Sequence, residues 1–479
     1  MSLRLLDAMS IFALAMGTSS PATAQLADLE ESEIGERVQA VVERAMDRPE
    51  AVGLSVAVVR GNEVVFNKGF GKANLEWDTD ADSETIFRIG SITKQFTAAA
   101  IMKLVEREQM ALDDPISQYL PDFDVGGRTI TVRQLLNHNS GIPNYTAQPN
   151  FMRDAAGRNL THEQLLEWVI GVDFDFEPGE GWNYSNTNYY LLGMIIEMVD
   201  GRSYAVFMDQ EFFEPLGLTH TSYGDLARVI PKRAEGYRYN MQNGQFFNDT
   251  LSSMNAPGAA GALVSSAGDL AKWHLALTSG RAVQPESFRQ MVESTIDTGQ
   301  PSSSYGFGLM IREGANGSII GHGGGIQGFN SSASYLPEQQ LYVAVISNSQ
   351  ALPSTAIEQQ IVGALTSAEY EAIQRVTAHP DSEAAVRRTV AEMASDEPDF
   401  SFMTEALARV AIAQQPNTSR YFAFLGELQE VTFREVNLRG ADIFDLTFAN
   451  GTAEMQIVIG EDGRVAMAGL RPTSALPSS

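Results

Sequence analysis

Cysteine is absent from all 479 residues, and that absence removes thiol nucleophiles, thiolate zinc sites and any disulfide framework at once. Histidine is scarce. The six histidines are His138, His162, His220, His274, His322 and His379; no two have the i, i+4 spacing of a His-Glu-x-x-His zinc helix, so no metal is expected. No Gly-x-Ser-x-Gly occurs, which argues against the nucleophile elbow of an α/β-hydrolase. Gly69-Phe70-Gly71 lacks the third glycine of a dinucleotide fingerprint, reads as a β-turn and leaves no cofactor expected. Basic residues are in short supply: 33 Lys and Arg against 60 Asp and Glu give a net charge of −27. That charge repels phosphate backbones and anionic lipid, which argues against nucleic acid or a membrane surface as partner. A long apolar run is missing too, since Met9–Met16 is too short to cross a bilayer.

That short run nevertheless has a reading of its own. It follows Arg4 and precedes Ala22-Thr23-Ala24, an arrangement that predicts a signal peptide over residues 1–24 and a periplasmic or secreted product. With 44% hydrophobic residues, a chain of this length buries a substantial core and holds more than one domain.

Chemistry enters with Phe87-Arg88-Ile89-Gly90-Ser91-Ile92-Thr93-Lys94, which runs into the apolar segment Gln95–Val105. Residues three apart share a helix face, so the Ser91 hydroxyl and the Lys94 amine meet in the first turn of a helix. The unpaired amides and positive dipole end there favour negative charge at Ser91. This is a candidate nucleophile with its activating amine, although such a serine is more often an N-cap and such a lysine solvated. Phe176-Glu177-Pro178-Gly179-Glu180-Gly181-Trp182-Asn183-Tyr184-Ser185-Asn186 then sets a Tyr-x-Asn in a Pro/Gly-rich loop ahead of the apolar run Tyr189–Met198. Loops of this kind present side chains, and the helix behind holds them still. Gly321-His322-Gly323-Gly324-Gly325 precedes a strand-like Ser331–Tyr335, and its glycines mark a backbone that another group approaches closely. Taken singly, Tyr184 reads as a wall aromatic, Asn186 as a helix cap and the glycines as a turn.

In this order the three motifs resemble those of the penicillin-recognising serine hydrolases, on the branch holding class C β-lactamases, DD-peptidases, D-aminopeptidases and β-lactamase-like (family VIII) esterases. Leu112-Asp113-Asp114-Pro115, Leu135-Leu136-Asn137-His138-Asn139-Ser140-Gly141-Ile142-Pro143, Glu214-Pro215-Leu216-Gly217-Leu218 and the stretch from Ala260 to Leu270 agree with that branch, and the resemblance covers roughly residues 35–365. It implies hydrolysis of ester or amide bonds, in a small-molecule or peptide substrate, through an acyl-enzyme on Ser91. A serine hydroxyl is a poor nucleophile at neutral pH, so a base must take its proton. Lys94 can do so if burial or a nearby cation lowers its pKa, and Tyr184 if positive charge lowers its own. The sequence does not divide the proton between them; the resemblance implies Tyr184 as donor to the leaving group. Asn186 would orient Lys94 and a substrate amide. The resemblance also places substrate against His322, Gly324 and Gly325, with the N–H groups of Ser91 and Gly325 as the oxyanion hole. The alternative is a penicillin-binding or sensor protein of the same fold that does not turn over, which has little need of all of Ser91, Lys94, Tyr184 and Asn186.

His322 departs from the β-lactamases of this branch, which usually carry lysine there. An imidazolium is charged over only part of the physiological range, so carboxylate recognition by His322 is expected to be weak or pH-dependent. A plain hydrogen-bonded strand-end histidine is the other reading. His138 reads as a structural residue that fixes the loop near the site. Trp182, Tyr145 and Phe329 are candidates for an apolar lining.

The expected fold class is α+β, an α/β sandwich. An amphipathic helix over 32–48 precedes strands at 52–59 and 63–67, and strands return at 318–320, 331–335 and 341–346. An antiparallel sheet built by both ends of the domain, flanked by helices and carrying a helical insertion subdomain, satisfies that order. The hydrolase domain spans 25–367. Residues 368–479 predict a small α+β domain of helices on a meander, similar to cystatin-like or NTF2-like modules, with hairpins at Asn450-Gly451 and Asp462-Gly463. The oligomeric state is not legible in the sequence.

Overall fold

Nine strands form one sheet: β1 (Gly53–Arg60), β2 (Glu63–Asn74), β3 (Thr79–Asp80), β4 (Ile296–Asp297), β5 (Ser303–Tyr305), β6 (Met310–Gly314), β7 (Gly317–Ile326), β8 (Phe329–Leu336) and β9 (Leu341–Ser347). The computed structural model describes residue 26 and residues 29–473, apart from 241–242, 250–252, 315–316, 367–376, 396, 437–439 and 461. The expected signal segment, residues 1–24, lies outside the described residues. The strand order is β3-β2-β1-β9-β8-β7-β6-β5-β4, with antiparallel pairing such as Leu54 to Ser347 and Ser332 to Val345. The N-terminal hairpin therefore zips against the last strand of the same unit.

Helices cover both faces of this sheet. Labelled in chain order, they are α1 (Glu31–Met46), α2 (Thr93–Glu106), α3 (Asn186–Asp200), α4 (Ala267–Thr278) and α5 (Ser354–Thr366). Strand alternation shows which face each helix takes. Ser332 of β8 donates to Glu358 on α5 (3.3 Å), whereas Tyr335, an odd number of residues away and so on the opposite face, meets His274 of α4. α1 packs beside α5, burying Ile34, Val38, Val41, Val42 and Ala45. With both faces covered, β1 and β9 read as continuous apolar runs instead of alternating ones. α2 lies deeper still: every residue from Thr93 to Met102 is buried, and Phe96 stacks on Trp273 with ring centroids 4.0 Å apart. The polar side chains it buries, Thr93, Lys94, Gln95 and Thr97, all lie in its first two turns, and the residues from Ala98 to Met102 are apolar.

Two glycine segments differ from expectation. Gly69-Phe70-Gly71 lies inside β2, not in a turn. A Cβ on Gly69 would stand 2.4 Å from the Asp82 backbone, so the glycine serves a close backbone approach. Gly321–Gly325 likewise belongs to β7 itself.

The chain divides into two compact units, one holding Pro21–Ser367 and the other Ala368–Ser479. In the second, α6 (Ser382–Ala394) and α7 (Glu405–Leu425) pack on the meander β10 (Leu428–Val436), β11 (Asp442–Phe448), β12 (Gly451–Ile459) and β13 (Val465–Pro472). Phe444, Leu446 and Phe448 enter its core together with Val386, Leu407 and Phe422, while Asp445 and Thr447 between them stay half-exposed. α7 continues through Pro416.

Candidate active site

Ser91 lies in a 3₁₀ turn, Gly90–Ile92, one step ahead of α2, so it occupies the approach to the helix instead of its first turn. Sequence-distant contacts hold this approach. Phe87 and Arg88 pair with Ser265 and Val264, the Ile89 amide donates to the Leu263 carbonyl (3.2 Å), and the Leu263 amide donates to Thr93 Oγ1 (3.2 Å). One helical turn on, Thr97 Oγ1 donates to the Ala259 carbonyl (2.6 Å). Gly193 of α3 makes room there, since a Cβ on it would sit 2.6 Å from the Ala259 Cβ. The segment 259–263 is thereby fixed with its Ala260 carbonyl facing Lys94.

Lys94 is fully buried, and its Nζ stands 3.1 Å from Ser91 Oγ, 2.8 Å from Asn186 Oδ1 and 2.8 Å from the Ala260 carbonyl oxygen. Burial drives its pKa well below the ordinary lysine value. A neutral amine has two N–H donors and one lone pair. Asn186 Oδ1 and the Ala260 carbonyl can only accept, so they take both donors and leave the lone pair for the Ser91 hydroxyl proton. The same neighbours that bury the amine thus turn that lone pair toward Ser91.

Asn186 opens α3, and its orientation is set from the 142–146 loop. Its backbone N–H donates to Asn144 Oδ1 (3.2 Å) and its Nδ2 to Thr146 Oγ1 (3.0 Å), so the carboxamide oxygen must face Lys94. Tyr184 stands across the amine, with Lys94 Nζ 4.8 Å from its ring centroid. Its hydroxyl is buried without a hydrogen bond of regular geometry. Burial raises the phenol's pKa above the ordinary tyrosine range, against a smaller lowering from the Ser91 hydroxyl. A neutral phenol is a proton donor. His138, held at φ +59, packs its ring 4.5 Å from that of Tyr184 and accepts the Ser185 N–H at Nδ1 (3.3 Å). Burial, with Lys94 adding to it, depresses its pKa.

β7 closes the other side of Ser91. A Cβ on Gly324 would fall 2.1 Å from the Ile89 carbonyl oxygen, and one on Gly90 (φ +52) 3.0 Å from the Gly325 amide nitrogen. Glycine is therefore needed at 324 for the strand and the Ser91 segment to touch, while a Cβ on Gly325 would meet nothing within 4 Å. The Gly325 amide thus lies beside the Ser91 turn, next to open space. Gly324→Ala is expected to force the strand off the Ser91 segment, costing about 1–3 kcal/mol of stability and roughly 10²-fold in turnover. Urea unfolding and steady-state kinetics on the folded variant check both.

His322 follows the second of its two sequence readings, a hydrogen-bonded histidine of the strand. It is 5% exposed, with Nδ1 2.5 Å from the Gly323 carbonyl oxygen and Nε2 3.0 Å from the Tyr305 hydroxyl. Burial and the nearby Lys94 lower its pKa to about 3. The imidazolium imagined for carboxylate recognition is disfavoured by this environment, and the ring has no free nitrogen to offer. Tyr145 and Phe329 are corrections as well: at 1% and 2% exposed they are core residues. Tyr145 donates to the Ala256 carbonyl (2.6 Å) and Phe329 packs edge-on to Phe87; Trp182 alone of the three is half-exposed. Sequence reasoning missed Asn144, Thr146, Tyr305 and the Ala260 carbonyl. Asn144 directly follows Gly141-Ile142-Pro143 and Ala260 opens the stretch 260–270, but nothing in either stretch pointed to Asn186 or Lys94, and Thr146 and Tyr305 had no signal.

Residues 38–367 match the Beta-lactamase family, and the chain belongs to that family, whose members are serine hydrolases. Among its relatives are PbpX of Bacillus subtilis (strain 168), provisionally named a penicillin-binding protein, at 31% identity over 61% of this chain and 70% of PbpX, and protein flp of Staphylococcus aureus, at 26% over 65% of this chain and 63% of flp. Among solved structures, a D-stereospecific amidohydrolase from Streptomyces sp. is 29% identical, with a TM-score of 0.60 over 71% of this chain and 99% of its own. An octameric penicillin-binding protein homologue from Pyrococcus abyssi is 25% identical, with a TM-score of 0.63 over 92% of this chain and 96% of its own. A match to 92% of 479 residues necessarily extends beyond residue 367 into the second unit.

Proposed function

We propose that this protein is an exported serine hydrolase that cleaves ester or amide bonds through an acyl-enzyme on Ser91. The observation that carries the reading is the set of partners of Lys94 Nζ, two that can only accept and the Ser91 hydroxyl as the third, so that in the neutral amine the lone pair faces Ser91. In the acylation step Lys94 takes the Ser91 proton as Oγ attacks the carbonyl carbon, and the oxyanion settles against the amides of Ser91 and Gly325. The tetrahedral adduct then collapses, and Tyr184 supplies a proton to the departing nitrogen or oxygen, recovering it from Lys94. Water attacks the acyl-enzyme in the reverse sense, with Lys94 again the base. Asn186 keeps the amine aimed, and its second amide hydrogen is available to a substrate carbonyl.

Incubation with p-nitrophenyl butyrate tests the reading. Sustained nitrophenol release supports the hydrolase. A single stoichiometric adduct without further release supports instead the penicillin-binding reading, which the name of PbpX favours.

The division of labour between Lys94 and Tyr184 makes Tyr184→Phe selective in its harm. A nitrophenolate leaves as a stable anion and needs no proton, whereas an amine leaving group does. We expect about 10²–10⁴-fold loss on a D-amino acid amide and no more than about 10-fold on the nitrophenyl ester. Equal losses on both substrates would place Tyr184 in the base instead.

A further inference from the structure

Tyr305 lies on β5, outside every motif that marks the site, yet it is fully buried against it. Its ring centroid stands 4.7 Å from that of His138 and 6.1 Å from those of Tyr184 and Trp182. Its hydroxyl reaches His322 Nε2 at 3.0 Å, while His322 Nδ1 lies 2.5 Å from the Gly323 carbonyl oxygen. A carbonyl oxygen only accepts, so Nδ1 carries the proton; in a neutral ring Nε2 is then a bare acceptor, which the Tyr305 O–H satisfies. Tyr189 is the other acceptor near the Tyr305 hydroxyl. It already donates its own proton to the Leu136 carbonyl (2.6 Å), and giving it the Tyr305 proton would force His322 to carry two protons while buried. The charges that act on His322 all oppose that. Lys94 of α2 and Arg312 of β6 both lower its pKa, and His322 in turn lowers that of His138; no carboxylate appears among these influences.

Resting on the serine-hydrolase reading above, we propose that Tyr305 is a specificity-determining positioning residue: it caps His322 in one uncharged tautomer, so that this wall of the site discriminates against carboxylate-bearing substrates and admits uncharged esters and amides. A lysine here would offer a permanent cation. The Tyr305–His322 pair offers a substrate neither a charge nor a free hydrogen-bonding nitrogen, and the position becomes a rigid support for the Gly323–Gly325 strand.

The test compares p-nitrophenyl butyrate with the mono-p-nitrophenyl ester of succinic acid, uncharged and anionic acyl groups with one leaving group, as a ratio of kcat/KM. In the wild-type protein the ratio should favour the uncharged ester and stay flat from about pH 5 to about pH 8. In Tyr305→Phe the ring loses its donor at Nε2 and can accept a proton there, so the ratio should move toward the anionic ester at the acid end, by about tenfold or more. Because both rates come from one preparation, a loss of folded protein cancels in the ratio. Nitrogen NMR of the wild-type imidazoles, with His322 assigned by its loss in His322→Gln, needs no folded Tyr305 variant. It should show a neutral ring protonated at Nδ1 across the same range. A His322 that titrates near ~6.5, a wild-type ratio that already climbs in acid, or an unchanged ratio in Tyr305→Phe overturns the proposal. Nitrophenol release that survives in Ser91→Ala would overturn the serine reading and leave the NMR result standing on its own.

Discussion

Ser91→Ala is expected to reduce turnover of every substrate by at least ~10³-fold while leaving the fold intact. The change removes one hydroxyl from a half-buried position in a 3₁₀ turn. The backbone contacts that hold the turn, from Ile89 to Leu263 and from Phe87 to Ser265, do not involve that hydroxyl. Lys94 keeps its two acceptors in the variant, so little packing is lost. Circular dichroism and urea unfolding should match the wild type, while nitrophenol release falls to the level of the oxyanion hole and binding alone. Retained hydrolysis in purified, folded Ser91→Ala would remove Ser91 as nucleophile.

Lys94→Ala should cost about 10²–10⁴-fold in acylation, and its second signature lies in stability. Asn186 Oδ1 and the Ala260 carbonyl lose their shared donor, a penalty of about 1–3 kcal/mol for each acceptor left unsatisfied in the interior. The pH dependence works in a definite direction. Lys94 has a folded-state pKa below its unfolded value, so between the two the unfolded chain binds the extra proton, and stability falls as pH drops from ~10.4 toward the folded value. Lys94→Ala removes that slope. Urea unfolding across alkaline to neutral pH should show a shallower decline for the variant than for the wild type. In catalysis, the wild-type rate should fall as acid protonates Lys94, and that limb should be absent from the residual activity of Lys94→Ala. An unchanged acid limb would assign it to another group.

The parts of the site legible in the sequence are those held within one short segment. Ser91 and Lys94 are three residues apart, and Tyr184 and Asn186 two, so local geometry places each pair; the order of the motifs then brings the pairs together. The remainder is supplied by the fold. The Ala260 carbonyl is a backbone atom and has no sequence signature, and its position depends on Gly193 admitting Ala259. Asn144 and Thr146 fix the orientation of Asn186 from some 40 residues away. His322 illustrates the limit most clearly. Its identity allowed a titrating cation, but burial and the nearby Lys94 lower its pKa, and its Nε2 meets the hydroxyl of Tyr305, seventeen residues earlier. Aromatic content was equally ambiguous, since Tyr145 and Phe329 serve the core and only Trp182 keeps partial exposure. For the fold, apolar patterning and turn residues marked β1, β2, β7, β8 and β9 but not the short strands β3 to β6, and the close approach announced by the glycine run of β7 is made by the Ile89 carbonyl, distant in sequence.

Acid quench of the enzyme during turnover of p-nitrophenyl butyrate, followed by intact-mass spectrometry and peptide mapping, tests the central claim most directly. The account predicts one butyryl group per chain, carried on the peptide containing Ser91, decaying when substrate is exhausted and absent from Ser91→Ala. Turnover with no trapped acyl group on Ser91, or an adduct mapped to another residue, would contradict it.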